Sequence, residues 1–213
     1  MPSLLWLAFW FFEDRCEPEP KKYIFFTFVV GGLAVGPVLV LEQYAAGIFV
    51  GPVLLLVWAF TEEMFKFGAA YVTSLRSYVF DEPLDAVIYM VTAALGFAAI
   101  ENSLFLFGSL QQGALHGVIT GDLRFIGATL LHTLSSSIIG VALALSYYKS
   151  AAMRRLYALC GVVLATALHT LFNFFILGQG GGATFFIFMF IWFGIIAVLL
   201  LVEKVKHPVR DYC

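Results

Sequence analysis

The stretch PVLLLVWAFTEEMFKF, Pro52–Phe67, places two adjacent glutamates and a lysine inside an otherwise apolar run. About 20 apolar residues are enough for a helix to cross the hydrocarbon core of a bilayer. A charged side chain at the centre of such a helix costs roughly 2.5–3.5 kcal/mol, so it needs a partner or a water-filled cavity. The stretch therefore predicts a membrane-spanning helix whose charged residues Glu62, Glu63 and Lys66 face the interior of a helix bundle.

The composition indicates that most of the chain lies in a membrane. Of the 213 residues, 62% are hydrophobic and only 12% are charged, which is about half the share usual in soluble proteins. The net charge of -2 provides no excess of basic residues, so we expect no nucleic-acid partner. The three cysteines form no CxxC pair, and we expect neither a disulfide nor a cysteine metal site.

Apolar runs separated by charged residues, glycines and prolines predict an all-α, polytopic membrane helix bundle with about seven transmembrane helices. We expect residues 1–213 to form a single transmembrane domain. A first run, Leu4–Phe12, is shorter than a crossing requires. Six full-length spans follow it, at Tyr23–Leu41, Pro52–Ser77, Leu84–Phe107, Leu123–Tyr148, Leu156–Leu177 and Thr184–Val202.

Lysine and arginine occur in alternate connections between these spans. They are present at 15–22, 76, 149–155 and 204–210, and absent from 42–51, 108–122 and 178–183. Basic connections face the cytoplasm in multi-pass proteins. The alternation therefore predicts a multi-pass protein of the cell membrane, with its N-terminus outside and its C-terminus in the cytoplasm.

Few ionisable residues lie within the predicted spans, and they share one depth. At a helix rise of about 1.5 Å per residue, Glu62 and Glu63 lie about 15 Å below the outer edge of the membrane. Glu101 lies about 9 Å below it, and His132 and His169 lie about 12–14 Å deep. Four helices thus bring ionisable groups to one layer in the outer half of the bilayer.

Two of these helices repeat one pattern, TxLHTL. It occurs in TLLHTLSS, Thr129–Ser136, and in TALHTLFN, Thr166–Asn173. Residues four apart share a helix face, so Ser136 accompanies the first histidine and Asn173 the second. The repetition favours a shared role for the two histidines over unrelated packing roles.

Glutamates and histidines around one point are typical of water activation, which two mechanisms can achieve. A carboxylate can take a proton from water while an imidazole or amide stabilises the developing oxyanion. Alternatively, two histidines and a carboxylate bind zinc while a second carboxylate acts as base. The candidate catalytic residues are Glu62, Glu63, Glu101, His132, His169 and Asn173, and Lys66 and Ser136 are candidates for an ion pair and a structural hydroxyl.

The same residues resemble the PrsW family of intramembrane proteases, within the wider superfamily of CAAX prenyl endopeptidases and bacteriocin-processing proteins. Five motifs occur in the family's order, and together they extend from residue 14 to residue 173. They are DRCEPEP at Asp14–Pro20, EExxK from Glu62, FAAIE ending at Glu101, HTLSS from His132 and HTLFN from His169.

The resemblance implies a multi-pass protease that cuts membrane-anchored proteins, such as anti-sigma factors, near the extracytoplasmic surface. It also implies that Glu63 acts as the general base. Because Glu101 stands where the CAAX enzymes have a histidine, the resemblance favours a zinc site made of Glu101, His132 and His169.

Two other function classes fit the same pattern of spans. A non-catalytic scaffold would bind membrane segments through the same fold. A proton-coupled transporter would use the carboxylates and histidines as a proton relay. Against the transporter, the sequence shows no repeated pair of broken helices at the midplane of the membrane.

Overall fold

A computed structural model describes residues 2–13, 18–111, 114–178 and 184–206, and within them the chain is a bundle of α-helices. A single π-helical turn, Tyr71–Leu75, extends the fourth helix. The helices are α1 (Pro2–Glu13), α2 (Lys21–Leu33), α3 (Val35–Ala46), α4 (Gly51–Ala70), α5 (Pro83–Leu110), α6 (Ala114–Ser146), α7 (Ala151–Gly178) and α8 (Thr184–Lys206).

Five helical segments of the described residues are long and apolar enough to cross a membrane, which confirms the predicted polytopic helical bundle. They are Lys21–Ala46, Pro83–Leu110, Gly127–Ser146, Ala151–Ile176 and Phe188–Val205. The first segment combines α2 and α3. Helix α4 has 20 residues, enough for a crossing, but it carries the three charges of the EExxK stretch. Helix α1 has 12 residues and is short, as predicted.

Helices α4 and α5 each have a proline in the first turn, and both start where the sequence indicates. Pro52 lies in the first turn of α4, directly after Gly51, whose φ of 60° is accessible mainly to glycine. Pro83 opens α5, where Glu82 and Asp85 form a capping box. Proline is favoured in a first turn because its missing N–H would have no partner there.

Helix α5 is the centre of the bundle and packs against α2 and α6 at glycines. A Cβ added at Gly96 would lie 2.0 Å from the carbonyl oxygen of Phe28, and one at Gly31 would lie 2.2 Å from that of Ala93. On the other side of α5, a Cβ at Gly140 would lie 2.7 Å from the Cα of Val87. The helix backbones therefore touch, as is common where membrane helices associate through small residues.

One predicted connection is wrong in its extent. Residues 108–122 were expected to link two spans, but α5 continues to Leu110 and α6 begins at Ala114. The segment contains glycines and no proline, and a glycine inside a helix costs only about 1 kcal/mol. Helical backbone hydrogen bonds can therefore extend well beyond the apolar run. Of the motif Asp14–Pro20, positions 14–17 lie outside the described residues.

Candidate active site

The structure brings all six predicted intramembrane ionisable residues into one buried cluster. Helix α4 supplies Glu62, Glu63 and Lys66 from one face, because residues three and four apart lie together on a helix. Helices α5, α6 and α7 supply Glu101, His132 and His169 respectively. We call these six side chains the polar cluster.

Glu63 is the most enclosed carboxylate of the polar cluster. Its Oε1 accepts hydrogen bonds from Lys66 Nζ at 2.8 Å, Ser135 Oγ at 2.8 Å and His169 Nδ1 at 2.9 Å. Its Oε2 accepts one from Ser136 Oγ at 2.8 Å. The side chain has 0% exposure, so these four donors replace water around the charge. Glu63 is thereby held in a single position and is shielded from a water molecule that enters the site.

Lys66 lies at the centre of the polar cluster and is fully buried. Its Nζ is 2.8 Å from Glu63 Oε1 and 3.4 Å from Glu62 Oε2, so the predicted ion pair includes both carboxylates. The same ammonium is 2.7 Å from His132 Nδ1 and 4.8 Å from the centre of the Phe97 ring. A buried charge pair depends on such complete hydrogen bonding.

In each of the two histidines, one ring nitrogen lies within hydrogen-bonding distance of a carboxylate oxygen. His132 Nε2 lies 2.8 Å from Glu101 Oε2, and His169 Nδ1 lies 2.9 Å from Glu63 Oε1. If each of these nitrogens donates its proton to the carboxylate, the other nitrogen carries a lone pair. Those nitrogens, His132 Nδ1 and His169 Nε2, lie 3.6 Å and 3.8 Å from Glu62 Oε2.

This arrangement fits a metal ion. One ligand atom each from Glu62, His132 and His169 can be chosen so that all lie within 4.8 Å of one another. Tetrahedral zinc with bonds of about 2.0–2.2 Å separates its ligand atoms by about 3.3–3.6 Å, close to the distances from Glu62 Oε2. Metal-binding histidines usually donate their second ring N–H to a carboxylate or carbonyl. An ion at this position requires the flexible Lys66 side chain to withdraw from His132 Nδ1.

The carboxylate of this site differs from the predicted one. The expected set was Glu101, His132 and His169, but the structure places Glu62 between the two histidines and Glu101 behind His132. Helical spacing predicts the depth of a residue and the helix face on which it lies. It does not determine which carboxylate lies between the two histidines. Glu101 has 14% side-chain exposure, against 7% for Glu62 and 0% for Glu63.

Two further predicted residues have different surroundings. Ser136 joins the polar cluster by donating to Glu63. Asn173 is half-buried on α7, and within the described part of the chain it makes no hydrogen bond to the polar cluster. The structure therefore links Ser136, but not Asn173, directly to the predicted site.

Two residues near the polar cluster had not been selected from the sequence. Ser135 donates to Glu63, and its only sequence signal is its place beside Ser136 in HTLSS. Glu42, near the end of α3, is half-buried, and its backbone oxygen accepts a hydrogen bond from the indole Nε1 of Trp58 on α4 at 3.0 Å. It is the only charged residue between Lys22 and Glu62, a signal that could have identified it.

The turn of α7 that carries His169 also lines an apolar groove of about 420 Å³. The groove lies between α7 and α8, and several aromatic side chains face it. The residues that line it are Leu168, Leu171, Phe172, Phe175, Phe186, Phe190 and Ile191. Of the α8 phenylalanines, Phe186 and Phe190 therefore line this groove.

Comparison with known proteins gives a consistent result. A family model described as "PrsW family intramembrane metalloprotease" matches residues 19–201. The chain is 28% identical to Protease PrsW of Halalkalibacterium halodurans over 96% of this chain and 92% of that protein. It is 26% identical to Protease PrsW of Bacillus subtilis, over 91% and 89% of the two chains. No solved structure matches it.

Proposed function

The chain belongs to the PrsW family of intramembrane metalloproteases, and from this premise we propose that it cuts a membrane-anchored protein with a zinc centre held by Glu62, His132 and His169. The main support for the proposal is the orientation of the two imidazoles. In each ring, one nitrogen is hydrogen-bonded to a carboxylate and the other lies near Glu62. A buried structural ion pair would need neither histidine in this orientation.

Zinc at this position would supply Lewis-acid activation of a water molecule and of the scissile carbonyl. The role of the neighbouring protein residues is to orient the two histidine rings. Glu63 holds the His169 ring through Nδ1, and Glu101 holds the His132 ring through Nε2. Such outer carboxylates fix the histidine tautomer and increase the basicity of the ligand nitrogen.

We assign the proton transfers to Glu101 and not to Glu63. All four hydrogen bonds of Glu63 are internal, whereas Glu101 is the most exposed carboxylate of the polar cluster. A general base has to come within hydrogen-bond reach of the water that it deprotonates. Glu101 can then return the proton to the leaving amine, while the Lys66 ammonium balances the negative charge that develops nearby.

The family suggests the substrate class, and the depth of the polar cluster suggests the side of cleavage. Its residues lie in the half of the bilayer that the lysine and arginine pattern assigns to the outside. We therefore propose that the protein cleaves membrane-anchored proteins, such as anti-sigma factors, near the extracytoplasmic surface. A bond in the hydrocarbon core is reachable only by a protease that admits water to its own interior.

The test is cleavage of a single-pass membrane protein by the purified enzyme in liposomes, with the cut position mapped by mass spectrometry. We expect wild type to cut near the outer surface, and Glu62→Gln to lose at least about 100-fold in rate. Gly68→Ala serves as the matched control on α4, because an added Cβ there meets nothing within 4 Å. Equal cleavage by Glu62→Gln and wild type would remove Glu62 from the mechanism.

A further inference from the structure

Asn102 follows Glu101 on α5, and its side chain has a buried oxygen without a partner. The Asn102 Nδ2 donates a hydrogen bond to Thr129 Oγ1 at 3.1 Å. The Asn102 Oδ1 is buried and accepts no hydrogen bond within the described part of the chain. A buried carbonyl oxygen destabilises a protein unless a donor reaches it. We therefore expect a hydrogen-bond donor to bind at this oxygen.

The Asn102 side chain lies about one helical turn from the proposed metal centre. Thr129 precedes His132 by three residues on α6, which is about 4.5 Å along the helix and on the same face. Two consecutive residues of α5 thus reach one face of α6, Glu101 at His132 and Asn102 at Thr129. Because α6 is predicted to run inward from its N-terminal end, the Asn102 contact lies on the outer side of the centre.

Helix α5 becomes accessible at the same level. All residues of the range Leu84–Ala98 are buried, whereas Ile100 and Leu104 have exposures of 46% and 49%. Asn102 is half-buried and lies within this transition. A transmembrane segment that approaches through the lipid can therefore contact α5 beside Glu101 and Asn102.

A substrate helix has to unwind before one of its carbonyl groups can enter the metal centre. Unwinding breaks backbone hydrogen bonds, and an N–H group freed away from water is strongly unfavourable without an acceptor. We propose that Asn102 Oδ1 accepts a hydrogen bond from a backbone N–H of the unwound substrate next to the scissile bond. This inference rests on the proposed function and adds recognition of the substrate backbone to it. The bond to Thr129 uses the NH2 group of the amide and leaves its oxygen available.

The experiment replaces single amides of the substrate by esters, which have a similar shape but no N–H group. Synthetic single-pass substrates with one ester at each position flanking the mapped cut are cleaved by the purified protease in liposomes. In wild type, we expect one ester position to lower kcat/KM about 10-fold. In Asn102→Ala, kcat/KM for the all-amide substrate should fall about 10-fold, and the same ester should then change it by less than about 2-fold.

Ser103→Ala is the matched control for this comparison. The Ser103 hydroxyl is exposed and donates to the Ala99 carbonyl of its own helix, so the variant should respond to every ester as wild type does. The zinc content of Asn102→Ala should equal that of wild type, because Asn102 is not a ligand. A loss of zinc in Asn102→Ala would overturn the inference, since the residue would then support the centre and not the substrate.

The cleavage results separate this inference from the proposed function. Wild-type cleavage of the all-amide substrate by Asn102→Ala, or the same ester loss in both proteins, would overturn the role of Asn102 and leave the zinc centre intact. If Asn102→Ala does not fold, Asn102→Asp keeps an acceptor oxygen and should retain the ester sensitivity. A folded Asn102→Asp without that sensitivity would overturn the role of Asn102 too. A wild-type protein that cuts no substrate would overturn the proposed function itself.

Discussion

The polar cluster and the glycine contacts of α5 are two buried regions of one bundle, and they are built in opposite ways. At Gly31, Gly96 and Gly140 the backbones touch because there is no side chain. At the polar cluster the helices are joined by long charged side chains, such as Lys66, which reaches His132 on α6. The first region brings helices together through close contact, and the second joins them by satisfying charges that lipid cannot solvate.

This difference separates the two regions experimentally. Close backbone contact contributes to stability and contains no reactive group, so its loss should affect folding first. The polar cluster is held in a fixed geometry by many hydrogen bonds, so a conservative change should affect chemistry first.

The largest effect is expected for His169→Gln, because the amide cannot replace the imidazole nitrogen that faces Glu62. We expect proteolysis to fall about 1,000-fold or more, as when a central catalytic group is removed. The unfolding temperature in detergent should change by only a few degrees. A variant that keeps near wild-type proteolysis would exclude His169 from the centre.

A smaller effect on activity is expected for Glu63→Gln, which keeps the shape but removes the charge behind His169 and Lys66. Zinc affinity should fall about 10- to 100-fold, since the carboxylate orients a ligand and is not one itself. Raising the zinc concentration should then restore much of the activity. Activity that stays absent at saturating zinc would instead identify Glu63 as the general base.

At the glycine contacts, Gly96→Ala should lower the free energy of unfolding by about 1–3 kcal/mol, because its Cβ would lie 2.0 Å from a carbonyl oxygen of α2. Chemical or thermal unfolding in detergent measures this loss. Gly68→Ala has open space around its Cβ and should be neutral or slightly stabilising. Equal stability of the two variants would contradict the backbone contact between α2 and α5.

The smallest effect is expected for Ser136→Ala, which removes one of the four hydrogen bonds to Glu63. A net loss of about 1 kcal/mol is typical for such a bond, and proteolysis should fall only a few-fold. Ser137→Ala is the matched control, because that buried hydroxyl donates to the Leu134 carbonyl of its own helix. Identical rates for the two variants would show that the Ser136 bond does not position Glu63.

Much of the fold and of the candidate site could be predicted from hydropathy and helical spacing. The rarity of charges in apolar runs singled out the EExxK stretch, and the helix rise put both histidines at its depth. Spacing could not decide whether Glu62 or Glu101 faces the two histidines, since that depends on side-chain torsions and on contacts with other helices. Glu42 was missed because it lies near the end of an apolar run, where a charged side chain is usually solvated.

The metal content of the purified protease, measured together with its activity, decides whether the site holds zinc. We expect about one zinc ion per chain in wild type and almost none in His132→Ala, which removes one ligand nitrogen. Chelation should abolish proteolysis by wild type, and added zinc should restore it. Full proteolysis by a preparation without bound metal would contradict the proposed centre.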